Sequence, residues 1–487
     1  MATRETLSYW LRPLVFLGRN ITSLIGAVIT TSTGIILVGF WAFQIITNTR
    51  IPPYFGVIFY LILPGLFVLG LILMPVGALW RRHKLRNRHE LPAVYPQINL
   101  HDPLLQHTAY WVAGLTILNV VIMGSASYRG VEYMDSVSFC GQTCHTVMEP
   151  EFTAYQNSPH SRVECVMCHI GPGASWFVKS KLSGVRQVFA VMLHTYETPI
   201  PTPVANLRPA QETCEQCHWP EMFQGDKLLI RTSFADDEKN TPSSTVLLMK
   251  IGGRTWDRAV GIHGRHLDPP LRVKYTTTDG NRQAIPSITY LEDDGKQVVY
   301  NAKDAKVSPE ELAKGETRYM DCVDCHNRPT HTFYPAPDAV DRAMSERHID
   351  PSLPFIKKKA VEVLQAPYPD RETAQRQIGA TLDEYYRTQY PDVYQKQKRE
   401  VETSIDEVRA IYLRNIFPDM KVTWGSYVNN IGHTSSPGCF RCHDGNHVAA
   451  DGREITQDCA SCHTLLAVQE TNPQILTQLD ISNPRNR

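Results

Sequence analysis

Two long apolar segments open the chain. Residues 20–49 and 51–80 contain no Asp, Glu, Lys or Arg, and only Arg50 separates them. Because about 20 apolar residues are needed to cross the hydrocarbon core of a bilayer, we predict membrane helices at about 22–46 and 54–79. The first segment is too long for the apolar region of a cleaved signal peptide.

A third, shorter apolar run at about 108–125 predicts another membrane helix. Pro64 and Pro75 interrupt the second run, but proline is tolerated in membrane helices. The alternative is a set of buried helices in a soluble protein, which the length of the first two runs disfavours. We therefore expect residues 1–126 to form a transmembrane region of three helices.

The pattern changes beyond residue 226. Short stretches rich in β-branched and aromatic residues alternate with Gly-containing turns, which is typical of strands. These stretches, which predict a small β insertion within 226–320, lie at 245–251, 271–278, 287–291 and 297–300. Residues 352–416 have a helical pattern broken by prolines, and we expect a helical arm with helices at 372–386 and 393–416.

Positive and negative charges balance, with 49 Lys+Arg against 49 Asp+Glu, so the chain has no overall field that attracts nucleic acid. Basic residues instead cluster beside the predicted membrane helices: Arg4, Arg12, Arg19, Arg81, Arg82, Lys84, Arg86 and Arg88. The positive-inside rule places the N-terminus and the 81–107 loop in the cytoplasm. Three crossings then place the chain after residue 126 on the periplasmic side of a bacterial inner membrane.

All 12 cysteines form six close pairs, and a histidine directly follows every pair. The pairs are Cys140 and Cys144, Cys165 and Cys168, Cys214 and Cys217, Cys322 and Cys325, Cys439 and Cys442, and Cys459 and Cys462. The histidines are His145, His169, His218, His326, His443 and His463. C-x-x-C-H is the attachment signal for c-type haem, in which the thiols bond to the porphyrin and the histidine binds the iron. The first pair encloses three residues, a spacing that still keeps both thiols on one helical face.

Disulfides and zinc sites are the alternatives for these cysteines. Neither requires a histidine after the second cysteine. We therefore predict six covalent haems, with haems 1–3 within 127–225, haem 4 within 321–351 and haems 5–6 within 417–487. The expected fold is a mainly α membrane protein: a three-helix transmembrane region and an external multihaem c-type cytochrome domain with little regular structure, the β insertion and the helical arm.

The number of histidines indicates whether the haems transfer electrons or bind a substrate. Four of the 18 histidines lie on the cytoplasmic side or at the membrane edge, at positions 83, 89, 101 and 107, which leaves 14 outside. Eight of these are not in the motifs: His160, His194, His263, His266, His331, His348, His433 and His447. Six irons need six further ligands, and an iron with both axial positions filled transfers electrons, whereas a catalytic iron needs an open position. The count favours electron transfer.

Residues 132–331 resemble the NapC/NirT family of membrane-anchored multihaem quinol dehydrogenases. The resemblance lies in Phe-Cys-Gly-Gln-Thr-Cys-His-Thr-Val-Met at the first motif, Ser-Pro-His160 before the second, and Cys-Val-Asp-Cys-His-Asn-Arg-Pro-Thr-His331 at the fourth. Three spans with six haems are similar, within this family, to the inner-membrane cytochrome H group, which feeds extracellular electron transfer. The resemblance implies that His331 binds haem 2 opposite His169, and that His160 binds haem 3 opposite His218.

Ligands of the other haems stay open. In this family a Met shortly after the first motif can replace the motif histidine, and Met148 and His194 compete at haem 1. Three histidines compete for haem 4: His263, His266 and His348. His433 and His447 lie on either side of the fifth motif and are expected to serve haems 5 and 6.

The resemblance also implies a quinol site beside haem 1. Residues in the segment that the family uses for this purpose are Lys179, Lys181, Gln187 and Glu197. Quinol oxidation releases two protons as well as two electrons, so a base is needed, and Glu197 is the expected proton acceptor. The alternative for the two lysines is contact with lipid headgroups.

Three functions remain in competition. The first is a dehydrogenase that oxidises menaquinol and passes electrons to periplasmic cytochromes, a terminal reductase or an extracellular acceptor. The second is an electron-wiring subunit of a larger membrane complex without its own quinol site. The third is a terminal reductase acting on nitrite or a similar substrate, which the histidine count disfavours.

Overall fold

The computed structural model describes residues 12–13, 16–47, 59, 62–92, 94–95, 103–143, 145–171, 174–204, 207–219, 225–254, 259–267 and 272–481. Cys144 lies outside the described part, as do residues 54–58 and 60–61 at the start of the second predicted membrane helix. The side chains of His145 and Lys181 lie outside it as well. The chain forms two compact units, Met1–Cys144 and His145–Arg487. The finer domain boundaries at about 126, 225, 320, 351 and 416 stay predictions.

The first unit is helical. Its helices are α1 (Ile21–Thr47), α2 (Leu63–Asn87), α3 (Pro103–Asp135) and α4 (Val137–Gln142). By length and composition α1 and α2 are candidate membrane spans, as predicted, whereas α3 is not among the candidates found in the described residues. The predicted 108–125 segment is therefore helical, and its membrane crossing stays a prediction.

Small residues bring α1 and α2 into close contact. A Cβ atom added to Gly70 would collide with the side chain of Thr30 and lie 2.8 Å from the main-chain oxygen of Gly26. The hydroxyl of Ser23 donates a hydrogen bond to the Met74 main-chain oxygen at 2.7 Å. Such small-residue interfaces drive helix association in lipid, where apolar burial gives no advantage over lipid contact.

In the second unit the motifs lie on short helices and turns. The helices before the β region are α5 (His145–Gln156), α6 (Cys165–His169), α7 (Ala174–Met192) and α8 (Ala210–Thr213). Further helices are α9 (Gly261–Leu267), α10 (Pro309–Lys314) and α11 (Cys322–Cys325). Single 3-10 turns lie at Cys214–Gln216, Pro418–Met420, Gly438–Arg441 and Cys459–Ser461.

The β region is antiparallel and extends beyond the predicted insertion. The strands are β1 (Lys227–Phe234), β2 (Pro242–Met249), β3 (Gly253–Arg254), β4 (Ala259–Val260), β5 (Val273–Thr277), β6 (Ser287–Leu291), β7 (Gln297–Ala302), β8 (Glu316–Tyr319), β9 (His447–Ala449) and β10 (His463–Glu470). They form sheets of order β1-β2-β10, β3-β4 and β8-β5-β6-β7-β9. Because β9 and β10 come from the last 41 residues of the chain, numbered 447–487, the insertion does not complete its sheets alone.

The predicted helical arm is a packed bundle. α12 (Ala336–Ser345) precedes the predicted arm. Within 352–416 lie α13 (Ile356–Gln365), α14 (Arg371–Gln389), α15 (Pro391–Lys396) and α16 (Lys398–Asn415), and α17 (Gln474–Gln478) lies near the C-terminus. Asp370 caps α14 by accepting a hydrogen bond from the Thr373 main-chain N–H. Ile378 and Leu382 of α14 are fully buried against Val408 of α16 and its neighbours, so this part has an ordinary hydrophobic core.

Candidate haem centres

One helical turn links the first cysteine and the histidine of a motif. The main-chain N–H groups of His218, His326 and His443 each donate to the carbonyl oxygen of the first cysteine in their own motif, at 2.7, 2.8 and 3.0 Å. This turn places two thiols and an imidazole together, as covalent haem attachment requires. None of the cysteines in the described part of the chain forms a disulfide bond, which argues against the disulfide alternative.

Five motif histidines each face one histidine from elsewhere in the chain. The pairs and the distances between their ring centres are His169 and His331 (6.3 Å), His160 and His218 (6.1 Å), His263 and His326 (6.4 Å), His266 and His443 (5.9 Å), and His433 and His463 (6.2 Å). Two imidazoles on opposite sides of one metal ion, each bonded at about 2 Å, have ring centres roughly 6 Å apart. The pairs therefore fit an iron held between two histidines.

Hydrogen bonds orient these rings. The Nδ1–H group donates to a main-chain oxygen in His331 (to Glu151, 2.9 Å), His266 (to Ile262, 2.7 Å), His443 (to Thr456, 2.7 Å) and His160 (to Pro329, 3.2 Å). A carbonyl oxygen only accepts, so Nδ1 carries the proton and Nε2 is left with its lone pair. This arrangement is typical of metal-binding histidines.

Burial keeps the rings neutral. The pKa values of His169, His263, His266 and His326 are lowered, chiefly because burial disfavours the charged imidazolium. Neighbouring histidines contribute to the lower pKa of His169, His266 and His326. A neutral imidazole is the form that binds iron.

The cysteines of consecutive motifs are neighbours in space. Cys168 of the second motif interacts electrostatically with Cys214 and Cys217 of the third, and the thiol of Cys214 is hydrogen-bonded to Cys322 of the fourth. Burial, followed by the nearby thiol of Cys439, raises the pKa of Cys325 to about 12. Cys462 of the sixth motif interacts in turn with Cys439 of the fifth, so attachment sites two to six form one continuous series.

The expectation for His447 is corrected. Its Nδ1 lies 2.9 Å from the Asp444 carboxylate, and its Nε2 lies 2.7 Å from the main-chain oxygen of Ile285. Because both ring nitrogens are used, no nitrogen is left for an iron. His266, which was expected to compete for haem 4, instead faces His443 of the fifth motif.

His348 is also not where a haem 4 ligand is needed. Its ring is 60% exposed, and its Nδ1 lies 3.6 Å from the Glu346 carboxylate. Of the three histidines that compete for haem 4, the structure brings His263 to His326. Sequence spacing alone did not separate these three, because His263 reaches His326 from a helix inside the β region.

Comparison with known proteins agrees with this arrangement. Residues 104–202 match the model of the NapC/NirT cytochrome c family, N-terminal region. The chain is 42% identical over 476 residues to "Cytochrome c-type protein ImcH" of Geobacter sulfurreducens, covering 97% of this chain and 91% of that protein. The chain belongs to the NapC/NirT cytochrome c family. No solved structure matches it.

Within this family, the chain belongs to the inner-membrane cytochrome H group. It is therefore a membrane-anchored multihaem c-type cytochrome of electron transport. Covalently bound haem iron follows from the family, and the paired histidines fit that group. The cysteines and histidines of the motifs are the residues that would hold it.

The first haem site of this NapC/NirT protein is the least defined. Met148 is half-buried on α5. His194 is exposed, has a positive φ of 54° and lies 6.4 Å from the ring of Tyr196. The choice between Met148 and His194 stays open.

The quinol-site candidates of this family member lie along and beyond α7. Lys179 is exposed, with its ammonium group 5.2 Å from the ring centre of Trp176, and the amide of Gln187 donates to the Ser183 hydroxyl at 3.2 Å. Glu197 is exposed beyond the end of the helix. Each described candidate is thus accessible to a ligand, and their role in quinol binding stays a prediction.

A buried ion pair behind His331 was not expected from the sequence. Glu151 and Arg328 are both buried, and their charged groups lie 3.4 Å apart. The guanidinium of Arg328 lies 3.7 Å from the ring centre of Tyr427. Arg328 lies two residues after a motif histidine in Cys-His-Asn-Arg. Its partner Glu151 is 177 residues away in the chain, so the sequence did not indicate that the two residues pair.

Proposed function

We propose that this protein is a six-haem menaquinol dehydrogenase of the inner membrane that delivers electrons to periplasmic or extracellular acceptors. The observation that carries the proposal is the continuous series of attachment sites two to six, each of which has a histidine pair at iron-binding spacing. Bound haems supply reversible one-electron transfer. The histidine pairs would provide two ligands for each iron, which suits electron transfer rather than substrate binding.

The proposed ligand pairs follow the geometry. His169 and His331 would hold haem 2, and His160 and His218 would hold haem 3. At the sixth motif, His463 and His433 would hold the last haem. With these positions filled, an open iron site for nitrite or a similar substrate would have to lie at haem 1, which disfavours a terminal reductase.

We place quinol oxidation near α7 and the first motif. Leu182, Val185, Phe189 and Met192 are more than half exposed and are spaced three or four residues apart, so they form one apolar face of the helix. An exposed apolar face suits contact with lipid or with the isoprenoid chain of a quinol. In this proposal Glu197 would accept the two quinol protons one at a time and pass each to solvent. Cys140 and Cys144 would hold the haem that supplies one-electron acceptance beside this site.

The proposed membrane topology has three crossings. The N-terminus and the basic loop that follows α2 lie in the cytoplasm, and α3 makes the third crossing. The second unit then lies in the periplasm, where covalent haem attachment takes place. This arrangement brings a periplasmic cytochrome or terminal reductase within reach of the last haems.

The test is anaerobic reduction of the detergent-purified holoprotein by a menaquinol analogue, followed by haem absorbance. We expect fast reduction that a quinone-site inhibitor blocks. A variant with Cys140 and Cys144 both changed to Ser should lose this reduction while dithionite still reduces its remaining haems. If quinol fails to reduce a protein that dithionite reduces fully, the wiring-subunit function replaces the proposal.

A further inference from the structure

One seven-residue helix carries histidines that face two different motifs. His263 and His266 lie three residues apart on α9, and residues at this spacing share one side of a helix. The ring of His263 faces His326 of the fourth motif, and the ring of His266 faces His443 of the fifth. The fourth and fifth motifs are 117 residues apart in the chain, from His326 to His443, and α9 is what they share.

The position of α9 is fixed by its own backbone. The main-chain N–H groups of Ile262 and His263 donate to the oxygens of Lys250 and Ile251, both at 2.9 Å. Gly261 starts the helix with φ +66°, and a Cβ atom there would lie 2.6 Å from the Lys250 oxygen. A residue with a side chain is disfavoured at this positive φ and close approach, so glycine permits the helix to begin here.

The orientation of His266 suits an iron ligand. Its Nδ1–H group donates to the Ile262 oxygen at 2.7 Å, one helical turn back, and its ring centre is 5.9 Å from that of His443. His443 is held in the same manner by Thr456, at 2.7 Å. In both rings the hydrogen bond therefore occupies Nδ1 and leaves Nε2 available as a ligand atom.

His447 does not compete for this position. It is the histidine nearest in sequence to the fifth motif, but it is 2% exposed and its ring nitrogens lie against Asp444 and Ile285. Its strand β9 pairs with β7, with Ala302 opposite His447. The ring is thus part of the packing of the five-stranded sheet.

We propose that His266 is the distal iron ligand at the fifth motif and His263 the distal ligand at the fourth, so that α9 links two consecutive haem centres in one rigid element. This assignment rests on the proposed six-haem function but not on quinol oxidation. Because both ligands belong to a single short helix, displacement of α9 alters both centres together. The β insertion therefore contributes ligands to haems outside its own span.

The experiment compares His266→Gly with His447→Gln in the full-length holoprotein. Haem content is counted first from the alkaline pyridine spectrum, and the spin state is then measured by electron paramagnetic resonance and near-infrared spectra. We expect His266→Gly to keep six haems and to convert one of them from low spin to high spin, and we expect added imidazole to reverse the change. His447→Gln should keep the wild-type spin state, since its amide N–H can still donate to the Ile285 oxygen and no iron ligand is removed.

If His266→Gly does not mature, His266→Met provides the second variant. It should remain low spin and gain the near-infrared charge-transfer band of a methionine–iron bond at one haem. The proposal is overturned if His266→Gly or His266→Met leaves all spectra unchanged, or if His447→Gln converts a haem to high spin. Quinol-driven reduction is assayed separately, so a protein that fails with quinol but shows these spectra contradicts the proposed function alone.

Discussion

Glu151 contacts His331 through both its main chain and its side chain. The Nδ1–H group of His331 donates to the Glu151 main-chain oxygen at 2.9 Å, and the Glu151 carboxylate lies 3.4 Å from the same nitrogen. A carboxylate behind a metal-binding imidazole makes the ligand more basic. A more basic ligand and a nearby negative charge both favour the oxidised, more positive iron.

The first prediction is that Glu151→Gln raises the midpoint potential of one haem. Removal of a charge near an iron ligand alters the energy by on the order of 1–2 kcal/mol at an effective dielectric of about 20, which is roughly 50–100 mV for one electron. Spectroelectrochemical titration of the holoprotein measures the change. Glu402→Gln serves as the control, because Glu402 is an exposed residue whose carboxylate is 3.7 Å from Lys398. Equal shifts in the two variants would rule out a specific role for Glu151.

The sequence predicts the haem attachment sites because their chemistry is local. Two cysteines and a histidine of one motif lie within a single turn, so their spacing is sufficient to recognise them. The second histidine at each motif, in contrast, is brought there by tertiary contacts between segments that are distant in the sequence. His266 reaches His443 because β2 and the Lys250–Ile251 backbone position α9, whereas His447, only four residues from His443, is held by Ile285. Proximity in sequence therefore favoured a histidine whose ring contacts Asp444 and Ile285 instead of a motif histidine.

The distinction between local and tertiary contacts also explains which strands the sequence predicted. Periodicity indicated the strands that became β5, β6 and β7, among which β6 pairs with both of its neighbours in the chain. It did not indicate that β10 pairs with β2, with His463 opposite Met249, because that register joins segments more than 200 residues apart. β1 was missed as well, since three exposed residues in a row at its centre, Leu229, Ile230 and Arg231, break the alternating pattern of a half-buried strand.

The second prediction concerns the contact between the first two helices. Gly70→Ala should weaken the first unit, because the added Cβ atom would collide with Thr30 of α1, and overpacking of this kind costs about 1–3 kcal/mol. Unfolding by sodium dodecyl sulfate in mixed micelles, followed by far-ultraviolet circular dichroism, gives the free energy of unfolding. Gly65→Ala on the same helix is the matched control, since a Cβ atom there contacts nothing within 4 Å. A stable Gly70→Ala variant would show that α1 and α2 do not pack closely.

The third prediction concerns a buried carboxylate at the fourth motif. Tyr275 donates a hydrogen bond to the Asp324 carboxylate at 2.6 Å, and the other oxygen of that carboxylate accepts from the Asp321 main-chain N–H at 2.7 Å. Tyr275→Phe removes one partner of a buried charge, so the free energy of unfolding should fall by about 1–3 kcal/mol. Thermal unfolding monitored by circular dichroism measures the loss.

Tyr290→Phe is the control for this change. Tyr290 lies on the neighbouring strand β6 and packs against the same hydrophobic cluster, so it has a similar apolar environment. We expect its loss of stability to be clearly smaller. If the two variants unfold at the same temperature, the Tyr275 hydrogen bond does not stabilise the fourth motif.

The fourth prediction tests the proposed proton acceptor for quinol. Glu197→Gln preserves the size of the side chain but removes the base, and loss of a general base typically slows a reaction by about 100-fold or more. Quinol-driven haem reduction should therefore be slow in this variant, while dithionite, which delivers electrons without a proton acceptor on the protein, should reduce it at the normal rate. Stopped-flow absorbance measures both rates.

The control variant is Glu402→Gln. Glu402 is an exposed carboxylate in the helical bundle, so this variant should retain the wild-type rate with quinol. A normal quinol rate in Glu197→Gln would move the proton acceptor to another group, and slow reduction by both reductants would instead indicate damage to the haem series.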